Sequence, residues 1–209
     1  MPDSHMTLYY IHDPMCSWCW AFRPTWAQIV AAAPSTLTIT RILGGLAPDT
    51  DQPMPDPMRH KLQTIWRTIQ QRVPGTEFNF DFWTDCRPRR ATYPACRAVI
   101  AAVQQGTAYE EAMILRIQQG YYLQAQNPSE DETLIQFAAD IGLDIEQFTA
   151  ALKAPETQKE LLNQIHFGRQ IGAQGFPSLI LEQNGRYAMI PYDYNDPDVV
   201  LRQLAQLPV

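Results

Sequence analysis

The chain has 209 residues with 45% apolar content, enough to bury one large core or a small domain carrying a sizeable insertion. A formal net charge of −6 and the lack of any basic stripe argue against a nucleic-acid partner, since phosphates are held by clustered Lys and Arg. No run approaches the roughly 18 consecutive apolar residues of a membrane span.

The opening Met1-Pro2-Asp3-Ser4-His5-Met6 has neither a basic n-region nor an apolar h-region, so it is not read as a signal peptide, and the cytoplasm is the expected location unless a leader was trimmed from the chain. Ser4-His5-Met6 has the form of a cloning remnant, with the natural chain starting at Met6. Thr7–His12 is short and β-rich and predicts a strand that Asp13-Pro14 stops. From about Ser17 the residues Trp18, Phe22, Trp26, Ile29 and Val30 recur at helical spacing, with Pro24 inside the helix. Leu37–Leu43 reads as a second strand, closing a parallel strand–helix–strand unit at Gly44-Gly45.

A loop with Pro48, Pro53, Pro55 and Pro57 follows. Helices are then expected over Met58–Arg72, Tyr93–Gln105, Ala108–Gln124, Glu130–Ile141, Ile145–Lys153 and Thr157–Gly172. Ser129-x-x-Glu132 has the pattern of a capping box, and Gly142 is placed to end that helix. The β pattern returns at Pro177–Glu182 and Arg186–Ile190, joined by Asn184-Gly185, a strong two-residue hairpin signal. Asp196–Leu207 predicts a final amphipathic helix. The order is β-α-β, a helical block, then β-β-α. The expected division is residues 1–45 with 173–209 as one α/β unit, and 46–172 as an all-helical insertion between the second and third strands.

Four cysteines, Cys16, Cys19, Cys86 and Cys96, are too few for a disulfide-stapled scaffold. Cys16-Ser17-Trp18-Cys19 lies at the start of the first helix, so a thiolate on Cys16 faces unsatisfied N–H groups and the positive end of the dipole. That dipole contributes ~0.3–2 kcal/mol, and further help is expected from hydrogen bonds of first-turn N–H groups and the Cys19 S–H. Cys19 follows one turn later, where its sulfur can join that of Cys16. The catalytic residues expected are therefore Cys16 as attacking thiolate and Cys19 as resolving thiol in disulfide exchange. A zinc site would need a second ligand pair; Cys86 and Cys96 do not form one, although His12 could add a third ligand. No metal or cofactor is expected.

His12 ends the first strand and is a candidate modulator of Cys16. Strand alternation could instead aim it at solvent, the reading favoured here. Trp18 is assigned to the rim of the site as a substrate contact, and Trp20 to the core. Cys86, in a loop, and Cys96, on a helix, are expected as free thiols. Arg87, Arg89, Arg90 and Arg97 could bind an anion such as a glutathione carboxylate, but a solvated charge run is the favoured account.

Three features make the chain resemble the thioredoxin-fold superfamily, and within it the DsbA-like branch. They are the strand leading into Asp13-Pro14-Met15-Cys16-Ser17-Trp18-Cys19-Trp20, Pro24 eight residues after Cys16, and Gly175-Phe176-Pro177-Ser178 opening the third strand. The helical insertion, Ile42-Leu43-Gly44-Gly45-Leu46 and Tyr93-Pro94-Ala95-Cys96-Arg97-Ala98 are similar to the cytosolic, FrnE-like subgroup. The resemblance implies a cis Pro177 facing the dithiol, with Phe176 and Pro177 holding substrate beside Cys16. It implies a thiol–disulfide oxidoreductase or isomerase acting on protein, peptide or small thiols, glutathione among them, with a homodimer left open. Ser17-Trp18 departs from the Pro-His pair of strongly oxidising periplasmic members, which leaves the direction of electron flow open. Two alternatives stand beside this: a glutathione-dependent isomerase or transferase of the kappa or hydroxychromene-carboxylate isomerase type, and a non-enzymatic thiol or zinc-binding module.

Overall fold

The computed structural model describes residues 6–206. The signal-peptide and cloning-remnant readings of residues 1–5, and the Leu207 end of the last helix, lie outside them.

The first strand, β1 (Met6–His12), pairs in parallel with β2 (Leu37–Leu43), register Met6↔Leu37 through His12↔Leu43, across helix α1 (Ser17–Ala32). On its other edge β1 pairs antiparallel with β3 (Ser178–Gln183), which continues into β4 (Arg186–Met189), giving the order β2-β1-β3-β4. Asn184 and Gly185 take φ of 54° and 74°, the left-handed pair a type I′ turn requires. This is the β-α-β and β-β-α frame that the resemblance implied.

A central strand covered on both faces reads as a nearly continuous buried run, and β1 does so. Leu8 and Tyr10 face α1 and the terminal helix α9 (Asp198–Ala205), packing with Phe22, Trp26, Ile29, Val200 and Leu204. Ile11 faces the other way with Ile42 and Ile180. Val30, expected on the apolar stripe of α1, is 38% exposed because the buried stripe ends at Ile29.

Between β2 and β3 run α2 (Asp56–Arg72), α3 (Phe82–Asp85), α4 (Tyr93–Val103), α5 (Tyr109–Leu123), α6 (Asp131–Asp140), α7 (Ile145–Lys153) and α8 (Pro155–Gln170). Trp66, Phe82, Met113, Ile117, Tyr122, Phe137 and Phe148 form their core, which also takes in Met15 and Leu43 from the sheet unit. The last of these helices serves both units: Leu161 and Ile165 join the helical core, while Phe167 packs with Ile11 and Ile42.

The single turn of α3 was not expected, because four residues carry no readable period, and Cys86 forms its C-cap. The Ser129 capping box does not form. Its hydroxyl donates instead to the Ala91 carbonyl at 2.7 Å, and Glu130 occupies the N-cap of α6 without a side-chain cap. Gly142 does close α6, with φ +80° and the Leu143 N–H returning to the Ala138 carbonyl at 3.0 Å. Among the described residues, no helix is long and apolar enough to cross a membrane.

Candidate active site around Cys16

Cys16 is the N-cap of α1, with extended φ/ψ of −83° and 115°, and its carbonyl accepts the Trp20 N–H at 3.0 Å. No acidic residue lies in the first turn to oppose a thiolate there. The expected bond from a first-turn N–H to the sulfur is not made; the thiol donates instead to the Phe176 carbonyl at 3.5 Å. Cys19 lies on the same helix at 1% exposure, and Cys16 at 6%. Burial pushes the Cys19 thiol well up, and the hydrogen bond with Cys16 adds to it, so Cys19 is the sulfur that keeps its proton. All four cysteines are free.

The Phe176–Pro177 peptide bond is cis, as the resemblance implied. Ser178 Oγ donates to the Gly175 carbonyl at 2.7 Å and Tyr192 Oη to the Pro177 carbonyl at 2.9 Å, pinning this loop from both sides. The Phe176 ring lies against Gly44, where a β-carbon would overlap it. Gly44→Ala is therefore expected to push the loop away from Cys16 and to cost about 1–3 kcal/mol of stability by overpacking. Urea midpoints and the rate of Cys16 reaction with a disulfide check this; an unchanged midpoint would show that the ring moves freely.

Beneath the dithiol lies a fully buried carboxylate that sequence reasoning took only as a strand breaker. Asp13 Oδ1 accepts the Met15 N–H at 2.8 Å; Oδ2 accepts the Leu46 N–H at 2.7 Å, the Thr92 hydroxyl at 2.6 Å and the Cys96 thiol at 3.6 Å. Burial raises its pKa and these bonds oppose the rise. Asp13 thereby ties the turn before Cys16 to the segment after β2 and to the start of α4. Only its place beside Pro14 marked it, and that pointed to a turn.

His12 does not face solvent. Strand alternation puts it on the face of Leu8 and Tyr10, which α1 covers, so it is 1% exposed and stacked on the Tyr10 ring at 4.9 Å. Its Nε2 has no hydrogen-bond partner, and burial, with Arg41 and Arg23 adding to it, lowers its pKa to about 3. Trp18 is half-buried, tilted over Tyr194 at 4.9 Å, and borders the cavity described below. Trp20 stacks on Tyr122 at the edge of the helical core, and Ser17 Oγ accepts the Trp66 indole N–H at 2.9 Å.

Cys86 donates to the Ala125 carbonyl at 3.0 Å and Cys96 is sealed against Asp13, so the two thiols serve different neighbours. Among the described residues no three His, Cys, Asp or Glu side chains converge as metal ligands. Of the basic segment, only Arg87 is exposed as the solvated reading expects. Arg89 pairs with Asp51 and Glu130, and Arg97 with Asp49, while Arg90 turns into a cavity of about 410 Å³ that opens on Cys16. Met15, Trp18, Leu62, Ile65, Ile165 and Phe176 supply most of its apolar wall.

The family model described as Thioredoxin matches residues 9–189. A protein of known structure from Nitrosomonas europaea, described as a candidate protein disulfide isomerase, is 28% identical, with 96% of this chain and 95% of that one covered and a TM-score of 0.82. The cytosolic disulfide reductase DsbM from Pseudomonas aeruginosa is 26% identical over 96% of this chain and 98% of its own, with a TM-score of 0.78, and a structure of it with GSH is similarly close. Among curated proteins, the ClpXP adapter protein SpxH of Halalkalibacterium halodurans is 23% identical over 84% of this chain. The chain spans 58% of the length of that relative.

Proposed function

The chain belongs to the thioredoxin family, in its DsbA-like branch, and from that premise we propose that it is a thiol–disulfide oxidoreductase working through a Cys16–Cys19 dithiol/disulfide cycle. The observation that carries the reading is the unequal setting of the two sulfurs. Cys16 opens on a cavity at the start of a helix, while Cys19 sits behind it, buried and protonated.

In the reducing direction, the Cys16 thiolate attacks one sulfur of a substrate disulfide. A Cys16–substrate S–S bond forms, the substrate's own S–S bond breaks, and the departing thiolate takes a proton. Cys19 then loses its proton and attacks Cys16 Sγ. The intramolecular disulfide forms, the second substrate thiol leaves, and the protein has given up two electrons. A thiol reductant returns it to the dithiol. Phe176 and Pro177 are the residues we place against the bound substrate, with the Phe176 carbonyl beside the reacting sulfur. Trp18 borders the same space, and His12, neutral and stacked on Tyr10, is retained as a modulator of Cys16 rather than a group that touches substrate. Residues 1–45 and 173–209 are taken as the unit that carries the dithiol, and 46–172 as the inserted helical unit that walls its cavity.

Reduction is the direction we favour, and the cytoplasm the location, on the likeness to a cytosolic disulfide reductase. The partners are then protein, peptide or small thiols, with glutathione among them. Equilibration in glutathione buffers of graded ratio, followed by acid trapping and peptide mapping, tests the cycle. One two-electron step confined to Cys16 and Cys19 is expected; a pair that stays reduced at every ratio would defeat the proposal, and an adapter-like binding role would leave both sulfurs dispensable.

A further inference from the structure

We infer that Arg90 and Arg169 form a carboxylate-recognising subsite beside Cys16, so that the preferred substrate is a small disulfide carrying carboxylates. This rests on the oxidoreductase reading and specifies its substrate class.

The inference comes from the inventory of charges around the cavity. Its lining contains two guanidinium groups, Arg90 from the segment before α4 and Arg169 from the last turn of α8, and no carboxylate. Elsewhere the half-buried arginines are engaged: Arg23 with Glu111, Arg41 with Glu110 and Glu111, Arg89 with Asp51 and Glu130, Arg97 with Asp49, Arg116 with Asp140. Among the described residues, neither Arg90 nor Arg169 has an ion pair, a side-chain hydrogen bond or an aromatic face to stack on. Arg90 is half-buried and Arg169 exposed at the edge of the cavity. Two cations without a partner among the described residues, one inside and one at the rim of an apolar-walled cavity next to the Cys16 sulfur, are a ready anion site. The planar guanidinium matches a carboxylate with two parallel hydrogen bonds, and the apolar wall weakens the screening that would make such a contact worth little in open water.

Size limits the occupant. About 410 Å³ lies within the range of small-molecule pockets, and α2, α5 and α8 all contribute to its walls, so one half of a small disulfide fits where a folded protein surface does not. The chain as a whole carries −6, which repels an anion at long range. A preference for anionic substrates would therefore have to arise locally, at these two side chains.

The test compares three small disulfides that differ in charge: dithiodiglycolate, bis(2-hydroxyethyl) disulfide and cystamine. Second-order rates of oxidation of the reduced protein are normalised to those of a free neutral thiol, for wild type and for the Arg90→Gln, Arg169→Gln and double variants. The double variant is expected to slow the dicarboxylate by about tenfold or more, keep the neutral disulfide within about twofold, and speed the diammonium. Rates that fall together for all three, or that do not change, would overturn the subsite. A wild-type protein inert to all three would overturn the oxidoreductase reading itself. An aspartate-flanked peptide disulfide distinguishes the sources of the carboxylate: if it reacts faster than dithiodiglycolate and depends on both arginines, the small-molecule assignment is wrong.

Discussion

Replacing Cys16 by serine is expected to slow disulfide exchange by about a thousandfold or more, because a hydroxyl neither ionises in the neutral range nor attacks sulfur usefully. Cys19→Ser is expected to behave differently. The first attack survives and the second does not, so a mixed disulfide on Cys16 accumulates and is visible by intact-protein mass spectrometry. The contrast follows from burial: Cys16 borders the cavity and Cys19 does not. If both variants lost the adduct equally, or if Cys16→Ser kept full activity, the assignment of roles would be wrong. A serine hydroxyl is costlier to bury than a thiol, by about 1–3 kcal/mol where it finds no partner, so Cys19→Ser is expected to lower the urea midpoint, and the adduct is scored on protein shown to be folded.

Acid should destabilise the protein through His12, and the sign follows from its burial. The folded-state pKa is about 3 against an ordinary value of 6.5, so below pH 6.5 the unfolded chain takes up a proton that the folded one refuses. The stability conferred by the neutral ring is complete above pH 6.5 and is lost as pH falls toward 3, at about 1.4 kcal/mol per pH unit. At pH 5 the loss is about 2 kcal/mol. Asp13 acts oppositely in its own window. Its pKa is raised above 3.8, so the folded state holds its proton longer and gains stability as pH falls through that range. Urea midpoints of wild type and His12→Gln between pH 7 and 5 separate the two: the difference should narrow toward the variant as pH falls. Parallel curves would mean that the folded and unfolded chains bind the His12 proton equally, so that burial does not lower its pKa.

What could be read from the chain was local. Cys16-x-x-Cys19 after a strand and Asn184-Gly185 between two β runs are signals held within a few residues, and the structure puts the first at a helix start and the second in a hairpin turn. Gly175-Phe176-Pro177 could be read only through the resemblance, which implied the cis bond the structure has. What could not be read was set by distant partners. Whether His12 faces solvent depends on α1 covering the Leu8–Tyr10 face. The Asp13 carboxylate finds Leu46 and Thr92, 33 and 79 positions away. Ser129 abandons its own helix for the Ala91 carbonyl, 38 positions back. The four arginines taken as one run are divided by the fold: two enter ion pairs, Arg87 stays exposed, and Arg90 turns into the cavity that Arg169 of α8 also lines.

The strand order has a consequence for how the molecule comes into being. β1 pairs with β2 nearby, but its other edge waits for β3, with Ile11 meeting Ser178. On the ribosome, Cys16 and Cys19 emerge long before the segment that will cover them, and β1 offers an open hydrogen-bonding edge meanwhile. Closing so long a loop is slow, and every intervening helix must be made first. The nascent chain therefore passes through a period of unguarded thiols and an unfinished sheet, when chaperones have most to hold and stray oxidants most to damage.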